Sequence, residues 1–195
     1  MIAYLIGKFT YKSPATVHVE VHGVGYEVNI SLNTYSKIQH LEEGKLLIYY
    51  QVKEDAHTLY GFSEAAEKEM FTLLLSVSGV GAATARMMLS GMKPDEITSA
   101  IAMNNPRVLE SVKGIGKKTA ERLILELKDK IGKVSENQAI SGTVYNNTLS
   151  VDALNALVAL GISKPIADQA IKKVTQSDNS ITDLEELIKK ALKAI

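Results

Sequence analysis

The chain has no cysteine. Disulfides and thiolate chemistry are therefore excluded, and cysteine usage says nothing about compartment. No apolar run approaches the roughly 18 residues of a membrane span, so no membrane association is expected. The N-terminus, MIAYLIGKFTYK, lacks the basic leader and small-residue cleavage site of a secretory signal, which favours the cytoplasm. No G-x-x-x-x-G-K-[ST] phosphate loop occurs, so ATP hydrolysis is not expected. Net charge is lacking as well: 22 Lys and Arg balance 22 Asp and Glu. Taken whole, that balance argues against a polyanionic partner.

The distribution of charge corrects this. Residues 1–63 carry 5 basic and 6 acidic side chains, residues 64–133 carry 11 and 9, and residues 134–195 carry 6 and 7. Between Lys113 and Lys133 seven basic residues face three acidic ones. This local basic footprint falls on a glycine motif. Gly114-Ile115-Gly116 is a tight turn between the end of one helix and a helical pattern carrying Ala120, Leu123, Ile124 and Leu127 up to Lys128. A glycine turn feeding a helix start aims backbone N–H groups and the positive end of the helix dipole at one point. Lys117, Lys118 and Arg122 lie in the first turns, where cations oppose the dipole. An external phosphate would account for them. The plainer alternative is a helical hairpin with a solvated basic rim.

The motif occurs twice. At an offset of 35 residues, Leu74, Ser76, Val77, Gly79, Gly81, Thr84 and Ala85 match Leu109, Ser111, Val112, Gly114, Gly116, Thr119 and Ala120. Two copies imply paired supersecondary units. Two phosphate cradles side by side would grip two backbone positions on a duplex without reading bases.

The expected fold is α+β and multidomain. Residues 1–63 read as five short strands with one helix between: Ile2–Phe9, Thr16–Val21, Tyr26–Ile30, helix Leu32–Leu41, Leu46–Val52 and Leu59–Phe62. That pattern suggests an oligonucleotide-binding (OB) barrel, with a plain sandwich as the alternative. Residues 64–133 read as tandem helix-hairpin-helix. Residues 134–149 read as a flexible linker rich in Ser, Asn, Gly and Thr. Residues 150–195 read as three short helices. Ser150 and Ser163 stand as caps, Gly161 as a stop, and Thr182 with Glu185 as a capping box. A small helical domain on a tether is most simply a docking module. Its candidate contacts are Leu157 and Ile162.

The turn between the last two strands holds Glu54 and Asp55. Adjacent carboxylates there are ordinary turn chemistry. In a DNA-binding chain, a projecting acidic tip would also repel phosphates and keep duplex away from it.

GVGYEV (Gly23–Val28), EDAHTLYGF (Glu54–Phe62) and the paired SGVG and KGIGKKTAERL together resemble the RuvA family of Holliday-junction-binding proteins. The likeness covers the whole chain in one order. It implies a non-catalytic subunit without metal or cofactor, serving recombination and DNA repair within the SOS response to DNA damage. It implies a homotetramer, with pairing into an octamer left open, that holds a four-way DNA junction open and square. Glu54 and Asp55 match the family's acidic pin. Phosphate contacts carried over by motif are Gly79, Gly81, Ala82, Ala83, Gly114, Gly116, Lys117, Lys118 and Arg122. The implied partners are junction DNA, a RuvB-type hexameric ATPase bound through residues 150–195 that drives branch migration, and a junction-resolving nuclease. One departure stands out. The family often has a lysine after the first glycine turn, where this chain has Ala82-Ala83. That hairpin must rely on backbone amides, with Arg86 as the candidate cation.

Two rival functions remain. A helix-hairpin-helix glycosylase or nuclease would need a catalytic group after the hairpin or clustered carboxylates for metal. Asp129 sits in a Lys128-Asp129-Lys130 surface pattern, and outside surface helices the close pairs are Glu54–Asp55 and Glu42–Glu43. A single-strand binder would need exposed stacking aromatics, for which Tyr49, Tyr50 and Tyr60 are candidates.

Overall fold

Alternating stretches become strands because one face of each buries its apolar side chains. The computed structural model describes residues 1–138, 145–177, 181 and 183–195. The strands are β1 (Tyr4–Lys12), β2 (Thr16–Val21), β3 (Val24–Ile30), β4 (Glu43–Val52) and β5 (His57–Phe62), with helix α1 (Leu32–Ile38) between β3 and β4. β1 runs on to Lys12, past the Phe9 end expected for it, and its register with β2 shifts between Phe9 and Tyr11. The sheet closes in the order β1-β2-β3-β5-β4, with β4 returning to β1. Only β3 and β5 run parallel, pairing Val28 with Leu59 and Ile30 with Gly61. Closure leaves no edge strand, so the barrel holds and the sandwich alternative falls. Leu5, Phe9, Val17, Val19, Val28, Ile30, Leu46 and Ile48 fill the interior.

Five helices follow, in the same compact unit as far as Ser135: α2 (Ala65–Leu75), α3 (Ala82–Gly91), α4 (Pro94–Ala102), α5 (Pro106–Glu110) and α6 (Lys117–Gln138). α4 ends where Asn104 takes a φ of 52° and the Asn105 N–H reaches the Ala100 carbonyl at 2.9 Å. That is the Schellman arrangement with asparagine in the left-handed position, and Pro106 then opens α5. Phe71 of α2 is fully buried against the outer face of the barrel. Its ring centroid lies 4.9 Å from Phe62, 5.1 Å from Tyr60 and 5.3 Å from Tyr49. This aromatic cluster joins barrel to helices and extends into their core, which includes Leu74, Leu89, Ile97, Ile101, Leu109 and Leu123.

A second, polar contact joins the same two parts. The Glu67 carboxylate of α2 is buried and accepts from the Ser31 and Thr34 hydroxyls at the start of α1. Burial pushes the Glu67 carboxyl above the usual carboxylate range, against the opposing pull of those two donors and of Lys37.

α6 runs to Gln138, beyond the Lys128 end expected from periodicity. Ile131 continues the buried stripe one turn past Leu127, and a single glycine at 132 costs only about 1 kcal/mol in a helix. α7 (Tyr145–Ala159) opens before Ser150, which therefore lies inside the helix and not at its cap. The helices thus enter the stretch 134–149 from both sides, and residues 139–144 lie outside the described ones.

The second unit holds α7, α8 (Lys164–Ser177) and α9 (Leu184–Ala194). Gly161, with a φ of 93°, ends α7 as expected. The Gly161 N–H bonds the Val158 carbonyl at 3.0 Å and the Ile162 N–H bonds Leu157 at 3.1 Å. Thr182 lies outside the described residues. The cap seen on α9 is Asp183, whose carboxylate accepts from the Glu186 N–H at 3.0 Å. Ala153, Ala167, Ala170 and Ala191 let the three helices pack closely around Leu157, Ile171 and Leu187.

Candidate nucleic-acid interface

The two glycine turns repeat bond for bond. In the first, Val77 N–H bonds Leu74 at 3.1 Å and Val80 N–H bonds Val77 at 3.1 Å. In the second, Val112 N–H bonds Leu109 at 3.2 Å and Ile115 N–H bonds Val112 at 3.0 Å. Val80 and Ile115, between the glycines, are buried and pin each turn to the core. Gly79 and Gly114 take φ of 88° and 95°, a conformation that favours glycine.

Gly81 and Gly116 need a different explanation. Gly81 has a φ of −89°, which any residue adopts. A Cβ added at either position would meet nothing within 4 Å. Neither backbone strain nor a neighbouring atom requires glycine there. The open space beside each glycine lets another molecule approach the backbone closely. Intrahelical bonding starts only at Ala85 N–H in α3 and Thr119 N–H in α6, so the amides just before them point outward unpaired within their helix. Neither helix has an acidic residue in its first turn, whereas α2, α4 and α9 do. Both features suit an anion at each helix start.

The cations divide unevenly. Lys117 and Lys118 are exposed at the start of α6, with Lys113 exposed just before Gly114. Arg122 bridges the hairpins: its guanidinium donates to the Ser78 carbonyl of the first turn at 3.2 Å and lies 3.6 Å from Glu126. Arg86 does not serve the first hairpin as its cation. Its Nη1 donates to the Ala15 carbonyl at 3.0 Å and Asn29 Oδ1 at 2.8 Å, tying α3 to the barrel. The Ala82 methyl is buried and Ala83 is exposed, so at that helix start both offer backbone amides alone. Lys117→Ala with Lys118→Ala is expected to weaken all DNA forms evenly. The slope of log affinity against log salt should flatten by about two phosphate units at most. A salt titration of binding measures this, and an unchanged slope would remove the second hairpin from the interface.

The acidic tip stands at the end of the β4–β5 hairpin. Lys53 N–H bonds the Ala56 carbonyl at 2.9 Å, and Glu54 and Asp55 between them are exposed. Below the tip, the Tyr50 hydroxyl bonds His57 Nδ1 and stiffens the hairpin base. The three tyrosines considered for base stacking are thus engaged otherwise. Tyr49 and Tyr60 pack on Phe71, and Tyr50 pairs with His57. Among the described residues no three carboxylate or imidazole groups converge as a metal site.

In the second unit, Leu157 is fully buried and Ile162 half-buried against the same core. They occupy the two positions whose apolar contact accompanies a Schellman motif, so Leu157 is the domain's own packing and not a contact surface. The exposed apolar side chains there include Val158, Leu160, Ile166 and Leu192. No helix among the described residues is long and apolar enough to cross a membrane.

Three family models match the chain in succession: RuvA N terminal domain over residues 1–61, SAM-like helix-hairpin-helix tandem over 71–129, and RuvA C-terminal domain over 149–195. Curated relatives match end to end. The chain is 47% identical over 195 residues to the Holliday junction branch migration complex subunit RuvA of Christiangramia forsetii, covering 100% of both chains. It is 44% identical over 197 residues to the protein of that name from Cytophaga hutchinsonii, covering 99% of each. With the one from Bacteroides fragilis it shares 42% identity over 203 residues, with 100% of each covered.

Proposed function

The chain belongs to the RuvA family, and from that premise we propose that it is a non-catalytic clamp for four-way DNA junctions. The observation that carries this reading is the pair of glycine turns with matching hydrogen bonds, open at Gly81 and Gly116, on one compact unit with an exposed acidic tip. Backbone amides and lysines contact phosphates, which repeat identically along any sequence. Binding of that kind has no preferred register, so the junction slides through the protein as strands exchange partners. Glu54 and Asp55 repel phosphates and deny duplex the centre of the junction, while the hairpins hold its arms.

A four-way junction has four equivalent arms, and four copies of the chain would supply one tandem hairpin to each. Work against the DNA requires a motor, and this chain has no phosphate loop. The unit over 150–195 is therefore the docking module for a hexameric ATPase, with Val158, Leu160 and Ile166 its exposed apolar candidates. A clamp that presents the junction open would also give a resolving nuclease its substrate. Recombination and DNA repair in the cytoplasm are the setting this implies.

The test is a competition at fixed salt between a four-way junction, linear duplex and single strand of equal length. Strong junction preference without cleavage on adding Mg²⁺ is expected, and equal affinity for junction and duplex would overturn the clamp. Glu54→Ala with Asp55→Ala should keep or raise affinity for every DNA form and relax the junction preference, because a repulsive element is lost. A large fall in overall binding would show that the tip attracts DNA instead.

A further inference from the structure

We propose that Glu67 is a positioning residue for junction recognition: from the joint between barrel and helices, it sets the angle between the acidic tip and the two glycine turns. This deepens the clamp reading and rests on it.

The joint is the first turn of α1 and the residue before it. Four successive residues of the barrel, Ser31 to Thr34, each bond to the first hairpin or its approach. The Ser31 and Thr34 hydroxyls donate to the two oxygens of Glu67 on α2, the latter at 2.7 Å. The Thr34 hydroxyl also accepts from the Ser63 N–H at 3.1 Å, where β5 leads into α2. The Leu32 N–H donates to the Ser90 hydroxyl on α3 at 3.1 Å. The Asn33 amide donates to the carbonyls of Leu89 and Met92, at 2.6 and 3.0 Å, where α3 ends. Both helices of the first hairpin are thus held by one turn of the barrel's helix.

Glu67 is the costly member of this set. It is 3% exposed, and a buried carboxylate is a poor choice for stability when an apolar side chain would pack instead. What it adds is direction. The apolar burial at Phe71 supplies strength and constrains direction only loosely, whereas two hydrogen bonds to one planar group fix an angle. The tandem hairpins share one core, and Arg122 ties the second to the first. They form a body that grips duplex by itself. Only a junction requires that body and the tip of the β4–β5 hairpin to engage together.

The experiment compares Glu67→Ala and Glu67→Gln with the wild-type full chain, well below their melting temperatures, for binding to duplex and to a four-way junction. Glu67→Ala should bind duplex within about two-fold of wild type, yet lose about ten-fold or more of its junction preference, because a tip no longer held over the open centre of the junction meets the phosphates of an arm and repels them. Glu67→Gln still offers an amide oxygen to a hydroxyl and should recover much of that preference. Unchanged preference in Glu67→Ala would overturn the proposal. So would equal losses on duplex and junction, which mark a plain stability role, or no recovery in Glu67→Gln. Should Glu67→Ala fail to fold, Asn33→Ala loosens the α3 side of the same joint and should shift the preference the same way; no shift would overturn the proposal. A wild-type chain without junction preference would instead overturn the clamp reading beneath it.

Discussion

Gly81→Ala combined with Gly116→Ala is expected to leave the fold intact and to weaken binding to duplex and junction by about 100-fold or more. The magnitude follows from losing one or more charge-assisted amide–phosphate bonds at each turn, about 1.5–3 kcal/mol apiece. The separation of binding from folding follows from geometry. Neither glycine needs its conformational freedom, and a methyl at either site meets no protein atom within 4 Å. Folding stability should change by no more than about 1 kcal/mol, since a less favourable cap offsets a less flexible unfolded chain. Gly79→Ala and Gly114→Ala are the contrasting pair. Their positive φ makes alanine strained by about 1–2 kcal/mol each, so those variants lose stability first. Denaturant titration beside a gel shift separates the two cases. A folded Gly81→Ala, Gly116→Ala protein with wild-type affinity would show that no backbone passes close to these turns.

Phe71→Ala should destabilise the unit formed by barrel and hairpins by about 3–5 kcal/mol, the usual range for emptying a buried aromatic site. Three rings of the barrel's outer face lose their common partner, and α2 loses its largest buried side chain on that face. Urea denaturation followed by tyrosine fluorescence would measure this. The three-helix unit has its own core, so its far-ultraviolet signal should melt where it does in wild type. A loss below about 1 kcal/mol would mean that the cavity collapses without cost and that barrel and helices hold together through the polar contacts of α1 and Arg86.

Much of this architecture is legible from residue pattern. Val17 and Val19 alternate with His18 and Glu20, and the strand they announce is there. The repeat of Leu74 to Ala85 at Leu109 to Ala120 announces two hairpins, which match down to their turn hydrogen bonds. What pattern does not carry is the destination of long polar side chains. Arg86 and Arg122 look alike in sequence, as cations one turn into a helix after a glycine turn. One is spent on the barrel and the other on the neighbouring turn, because those contacts join segments far apart in the chain. Glu67 is hidden for a similar reason. An acid in a first helical turn reads as ordinary dipole chemistry, and only the fold brings Ser31 and Thr34 against it. Leu157 and Ile162 show the reverse limit: the stop at Gly161 is readable, but sequence does not separate a contact surface from the apolar pair that closes over the stop until the motif is built.

The parallel pairing of β3 with β5 imposes an order on the growing chain. β1, β2 and β3 are neighbours in sequence and can form a meander as soon as Ile30 leaves the ribosome. Closure must wait for Leu59 to Gly61, since Val28 to Ile30 have their partners there. Contacts so distant in sequence form slowly. Tyr60 and Phe62 of that last strand are also the seat of Phe71, so α2 has nowhere to dock until the barrel is complete. The hairpins, whose core includes Tyr60 and Phe62, are therefore expected to pack onto a finished barrel. A ribosome that stalls before Phe62 would leave the edges of β3 and β4 without their β5 partner, a species prone to aggregate.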